Sequence, residues 1–228
     1  MQAVLFDLDG TLIDTAPELA AAVNLALQRV RLEPVATQQL RAWIGDGTRA
    51  LLAKALRAAG VPEGELDARV QSLWPGFEYD YAQACGSQST LYPGARRMLE
   101  RLHGAGIRVG LVTNKESGFA HRLLVRHDLN ACFDLLVCGD TLPVHKPDPA
   151  MLIHALQALQ CEPTEALFVG DSAIDVRTAR AAGVAVWAVT HGYGGPLRGA
   201  DAPDRFVDGF DELARTLTTH RGLRVSIF

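Results

Sequence analysis

Short apolar runs punctuate the chain, and each stops at a small or polar cluster. Ala3-Val4-Leu5-Phe6 meets Asp7, and Val109-Gly110-Leu111-Val112 meets Thr113-Asn114. Leu135-Leu136-Val137-Cys138 meets Gly139-Asp140, Leu167-Phe168-Val169 meets Gly170-Asp171, and residues 184–189 meet Thr190-His191-Gly192. Apolar runs without alternation suit strands covered on both faces, as in a parallel sheet. Between them, amphipathic spacing predicts helices over residues 95–104, 118–127, 149–159 and 174–182. Strands alternating with helices predict an α/β fold in which ligands bind at the carboxyl ends of the strands.

One stretch breaks this alternation. Residues 17–86 carry helical periodicity alone, with helices expected over 20–30, 37–43, 48–59 and 65–81. Pro34, Gly45 to Gly47, Pro62 and Gly64 punctuate them. A helical block inserted after the first strand predicts a cap over the strand ends, with residues 86–90 as the return linker. Residues 14–17 and 86–90 are the expected hinges. The tail, residues 220–228, is basic and then apolar, which fits a final strand or a packing arm.

Bulk composition narrows the function. The chain has 228 residues, 48% apolar and 21% charged, with a net charge of -4 and a pI near 6.0. That balance gives no general attraction to nucleic acid or to an anionic membrane, so any phosphate ligand needs a local site. The amino terminus lacks the basic flank of a signal peptide, and no apolar stretch approaches the ~18 residues of a membrane span. Cys85, Cys132, Cys138 and Cys161 form no CxxC pair, which predicts reduced thiols in cytoplasm rather than zinc or disulfides. The seven histidines lack HExxH spacing, which argues against catalytic zinc.

Acids at the strand ends supply the candidate chemistry. Asp7 and Asp9, two residues apart, are expected on one side of an extended strand. Asp171 and Asp175 straddle the start of a helix. Clustered carboxylates repel and call for a cation. Their hard oxygens suit Mg²⁺, which shares its shell with substrate phosphate.

Asp7-Leu8-Asp9-Gly10-Thr11 resembles the first motif, DxDGT, of the haloacid dehalogenase-like superfamily. Thr113-Asn114 resembles its second motif, Lys146 before Pro147 its third, and Gly170-Asp171-Ser172 with Asp175 its fourth. The resemblance implies a Rossmann-like parallel sheet flanked by helices, with an inserted all-helical cap domain. Residues 1–15 and 88–228 would form the core, and 16–87 the cap. It further implies an aspartyl phosphate on Asp7 and acid–base work by Asp9. Phosphoryl oxygens would be held by Thr113 and Asn114, and developing charge offset by Lys146. The implied metal set is Asp7, Asp9 (through its main-chain carbonyl) and Asp171, with Asp175 in support. An acid at Asp9 favours phosphoryl transfer over dehalogenation, because a halide leaves without a proton.

Within the superfamily, residues 12–17, Trp43-Ile44-Gly45-Asp46-Gly47, residues 111–115, 145–149 and 190–194 resemble the phosphoglycolate phosphatase branch. Its cap segment often reads WxGNG, so Asp46 replaces an amide with a charge that Arg49 or Lys54 would have to offset. Gly45 and Gly47 amides with Arg49 are the expected receptor for a substrate carboxylate. The implied ligand is a small phosphorylated metabolite, handled by a monomer or homodimer in the cytoplasm. Alternatives are a phosphatase of another small ester such as a sugar phosphate, a β-phosphoglucomutase-like enzyme, and a receiver-type phosphoacceptor. The long insertion and first-strand DxDGT argue against the receiver.

Overall fold

Ala3-Val4-Leu5-Phe6 contains no polar side chain and forms β1 (Ala3–Phe6), every residue of which is fully buried in the computed structural model. Residues 1–219 are described, and the tail reading for 220–228 lies outside them. A two-residue strand, β2 (Ile13–Asp14), follows, and then four helices: α1 (Ala16–Arg29), α2 (Thr37–Arg41), α3 (Thr48–Ala58) and α4 (Leu66–Ala84). β3 (Thr90–Leu91) pairs antiparallel with β2 where the chain returns. The remainder alternates: α5 (Ala95–Gly104), β4 (Arg108–Val112), α6 (Ser117–Arg126), β5 (Leu135–Val137), α7 (Ala150–Ala158), β6 (Ala166–Gly170), α8 (Ala173–Ala182), β7 (Ala185–Val189), β8 (Arg205–Val207) and α9 (Phe210–Thr219).

Among the described residues the main sheet has six strands in the order β5-β4-β1-β6-β7-β8, all parallel. The two-residue period of a strand divides β1 between two cores. Val4 and Phe6 face the layer of α5, α6 and α9, packing with Leu99, Leu123 and Phe210. Ala3 and Leu5 face the layer of α7 and α8, packing with Met151, Leu152 and Val176. After β1 the chain builds outward through β4 and β5, then crosses to β6 on the other side. The carboxyl ends of β4, β1 and β6 thus flank the point where strand order reverses, the usual ligand crevice of such sheets.

α1 to α4 have their own core, in which Val23, Leu52, Leu56, Phe77 and Tyr81 are fully buried. Two chain crossings join this insertion to the sheet. Glu18, buried in the first turn of α1, fastens one crossing to the other. Its Oε2 accepts hydrogen bonds from the amides of Gly86 (2.9 Å), Gln88 (3.3 Å) and Ser89 (3.0 Å).

Three features differ from the sequence expectation. β8 was not expected, because Arg205 and Phe206 are exposed and leave no apolar run. β2 and β3 are too short to carry a period. Asp7 to Asp9 do not continue β1: the amides of Thr11, Leu12 and Ile13 all donate to the carbonyl of Leu8, forming a tight turn. Gly10 occupies that turn at φ 83°.

Leu52→Ala should destabilise the protein by about 2–5 kcal/mol through cavity formation, as read by urea unfolding. Leu25→Ala, at an exposed site on α1, should stay within about 0.5 kcal/mol of the parent.

Candidate active site

Each acid is fixed by the strand or helix that precedes or follows it. Asp7 leaves the end of β1 with its amide bonded to the carbonyl of Val169 on β6 (2.9 Å). Asp171 follows β6. Its Oδ1 accepts from the Thr11 hydroxyl (3.0 Å) and its Oδ2 from the Tyr193 amide (2.6 Å). Asp175 sits in the first turn of α8 and completes a capping box with Ser172. Its Oδ2 accepts from the amides of Asp171 and Ser172 and from the Ser172 hydroxyl, at 2.7–3.2 Å. Its Oδ1 accepts from Lys146 Nζ (2.6 Å). Lys146 Nζ also lies 2.9 Å from Asp7 Oδ1, and the lysine side chain is 1% exposed.

Carboxylate oxygens of Asp7, Asp171 and Asp175 lie within 4.8 Å of one another. One buried ammonium, paired with Asp7 and Asp175, stands against three acids, and the imbalance shows in the titration of Asp7 and Asp171. Burial, reinforced by the charges of Asp175 and Asp7, pushes Asp171 up to about 8. Burial also raises Asp7 to about 6, against the opposing pull of Lys146. Burial alone would lower Lys146, but Asp175 and Asp7 outweigh it and hold the ammonium charged. Such a set of buried hard oxygens with surplus negative charge fits a divalent cation. Asp175 takes four protein donors, Asp171 takes one on each oxygen, and Asp7 is held at Oδ1 by Lys146, so Asp7 and Asp171 carry the freer lone pairs.

Asp9 is built differently. Its carboxylate turns from this cluster onto Lys115, whose Nζ lies 3.0 and 3.1 Å from its two oxygens, and it accepts from the Thr15 hydroxyl (2.6 Å). Lys115 is itself fully buried above the ring of Tyr81, 5.0 Å from its centroid. The expected set thus divides: the carboxylates of Asp7, Asp171 and Asp175 converge, and that of Asp9 stands apart. Asp7 and Asp9 nevertheless line one cleft, together with Leu19, Ile44, Gly45, Thr113 and Lys115. The cleft is partly open to solvent.

Asn114 ties the cleft walls together. Its side-chain amide donates to the carbonyls of Gly45 (2.9 Å) and Lys146 (3.0 Å), and its oxygen accepts from the Lys146 amide (2.8 Å). Thr113 is buried at the end of β4 and forms part of the wall. Gly45 and Gly47 lie on the facing insertion. Arg49, expected at the substrate, is instead exposed, with its guanidinium 4.1 Å over the Trp74 ring. It lies two residues beyond Gly47, in the first turn of α3, and its guanidinium rests on the Trp74 indole rather than among the residues that line the cleft. Lys54 pairs with Asp46 and neutralises the departure from WxGNG.

Sequence reasoning assigned no role to Lys115, Tyr193 or Glu18. Lys115 and Tyr193 lie inside segments that carried the resemblance; Glu18 had no signal. The Tyr193 hydroxyl accepts from the amides of Thr15 (2.7 Å) and Ala16 (3.1 Å) and donates to Asp14 (2.6 Å). Arg41 of α2 reaches the other Asp14 oxygen at 3.3 Å. Gly192 precedes this tyrosine, where a Cβ would stand 2.1 Å from that of Asp171.

A family model described as haloacid dehalogenase-like hydrolase matches residues 4–189. A phosphoglycolate phosphatase of Pseudomonas putida is 39% identical over 90% of this chain and 75% of its own. One from Aliivibrio fischeri is 37% identical over 97% of this chain and 98% of its own. A crystal structure from Haemophilus somnus, described as a predicted phosphoglycolate phosphatase, superposes with a TM-score of 0.84 at 30% identity, covering 95% of this chain and 98% of that one.

The raised values of Asp7 and Asp171 set a pH dependence. Both groups bind protons more tightly folded than unfolded, so their stabilising contribution is complete below the ordinary value of 3.8. It is lost as pH rises through about 6 and then about 8. In chelator, the thermal midpoint should therefore fall between pH 5 and 8 (roughly the span of these shifts), and Asp171→Asn should flatten the upper part. A divalent cation should restore the midpoint at the alkaline end; a midpoint insensitive to it would contradict the charge imbalance.

Proposed function

We propose, for a chain that belongs to the haloacid dehalogenase-like hydrolase family, that the cleft converts 2-phosphoglycolate to glycolate and inorganic phosphate. The chain is a phosphoric monoester hydrolase. One observation carries the mechanism: Asp7 and Asp9 line a single cleft, but each is held by its own buried ammonium. Two neighbouring carboxylates in different settings can divide nucleophilic and acid–base work.

A carboxylate oxygen of Asp7 attacks phosphorus, and the ester oxygen leaves with a proton from Asp9. Asp9 then takes a proton from the water that attacks the aspartyl phosphate. Phosphate departs and Asp7 is regenerated. Thr113 and the backbone of Asn114 donate to the phosphoryl oxygens, and Lys146 offsets charge beside Asp7. We assign Mg²⁺ to Asp7, Asp171 and the Asp9 carbonyl, supported by Asp175; when bound it neutralises the surplus carboxylate charge and the phosphoryl oxygens. The helical insertion serves as the cap that covers the cleft.

The choice of substrate is supported by the relatives named above and by the cleft itself. Leu19, Ile44 and Leu51, with two glycines and a single hydroxyl residue, Thr48, form the wall facing the strand ends. A sugar would leave several hydroxyls without partners against that wall, at a cost of about 1–3 kcal/mol each. A two-carbon leaving group avoids that cost. Four unpaired cysteines support a reducing, cytoplasmic setting.

In a phosphomonoester panel read by free phosphate, 2-phosphoglycolate should give the highest kcat/KM; a sugar phosphate turned over roughly 100-fold better, a gap too large for one pocket contact, would displace this reading. Asp7→Asn should lower kcat by roughly 10⁴-fold or more while preserving the circular dichroism spectrum, because an amide is a poor nucleophile.

A further inference from the structure

We infer that Lys115 is the specificity-determining receptor for the substrate's carboxylate. This rests on the phosphoglycolate reading, because only an ester with a second anionic group needs such a receptor. The charged side chains on the cleft wall are Asp7, Asp9 and Lys115. Lys146 stands behind Asp7 and is committed to Asp7 and Asp175. Lys54 is committed to Asp46, and Arg49 lies over Trp74. The apolar wall of Leu19, Ile44 and Leu51 supplies no counter-charge. A carboxylate buried there without a cation would pay a large desolvation cost.

Distances favour the match. Lys115 Nζ lies 3.0 Å from Asp9, and an acid delivering its proton must sit about 3 Å from the ester oxygen. In phosphoglycolate one methylene separates ester oxygen from carboxylate, so covalent bonds near 1.5 Å place a carboxylate oxygen about 3 Å from that ester oxygen. The substrate's second anion is therefore within reach of Lys115 Nζ while the ester oxygen stays beside Asp9. An ammonium carries three donors, so it can keep a bond to Asp9 while donating to the incoming carboxylate. The ring of Tyr81, 5.0 Å away, packs against the ammonium without competing for it as an anion.

The test compares 2-phosphoglycolate with ethyl phosphate, which has a methyl group in place of the carboxylate. The readout is the ratio of their kcat/KM values, which cancels the folded fraction and any general harm to Asp9. Wild type should prefer phosphoglycolate. Lys115→Met should lower the ratio roughly 10- to 100-fold, the effect of one lost charged hydrogen bond, mainly through KM for phosphoglycolate. Lys115→Arg should retain most of the preference. Lys115→Gln, measured alongside, supplies the ratio if the methionine variant does not fold. An equal loss on both substrates would overturn the inference and leave Lys115 as a positioning residue for Asp9. A wild-type enzyme with no preference for phosphoglycolate would overturn the substrate reading, and the receptor role with it.

Discussion

The buried ammonium of Lys146 is the contact on which the site depends. It touches Asp7 and Asp175 and is sealed from water, so it attracts through a medium that screens poorly. Without it, three carboxylates would face one another at the ends of two strands. With it, they converge but remain short of neutrality, and the surplus shows in the upward shifts of Asp7 and Asp171. The same imbalance makes the cluster a fit for a hard cation.

Topology supplies the convergence. Because β1 lies between β4 and β6, the segments following these three strands meet at one place. Asp7, Thr113 and Asp171 come from distant parts of the sequence and need no long side chains to approach one another. Lys146 arrives from the loop between β5 and α7, held at its backbone by Asn114. Asn114 also grips Gly45, so the strand end and the helical insertion share one amide.

Much of this was legible in the sequence, for stated physical reasons. The apolar runs of β1, β4, β6 and β7 are complete because both faces of each strand are covered, and α5 was read to its exact ends from its strong amphipathic period. β8 was not legible, since an edge strand with exposed Arg205 and Phe206 has no such run. In the site, residue spacing indicated the acids and Lys146 but not where carboxylates would turn. The extended-strand picture put Asp7 and Asp9 on one side, and the turn around the Leu8 carbonyl separates their partners instead. Arg49 was drawn away by Trp74, a contact between helices that no local pattern encodes. Lys115 meets Asp9 across 106 positions and the Tyr193 hydroxyl meets Asp14 across 179, beyond the reach of any periodicity.

Glu18 gives the insertion its mechanical character. A single carboxylate near the outgoing crossing gathers three amides of the returning one. Two separate tethers would let the helices shear and twist over the sheet as well as tilt. Tethers clasped at one carboxylate are held in fixed relation to each other, so the way into the insertion and the way out of it form a single joint.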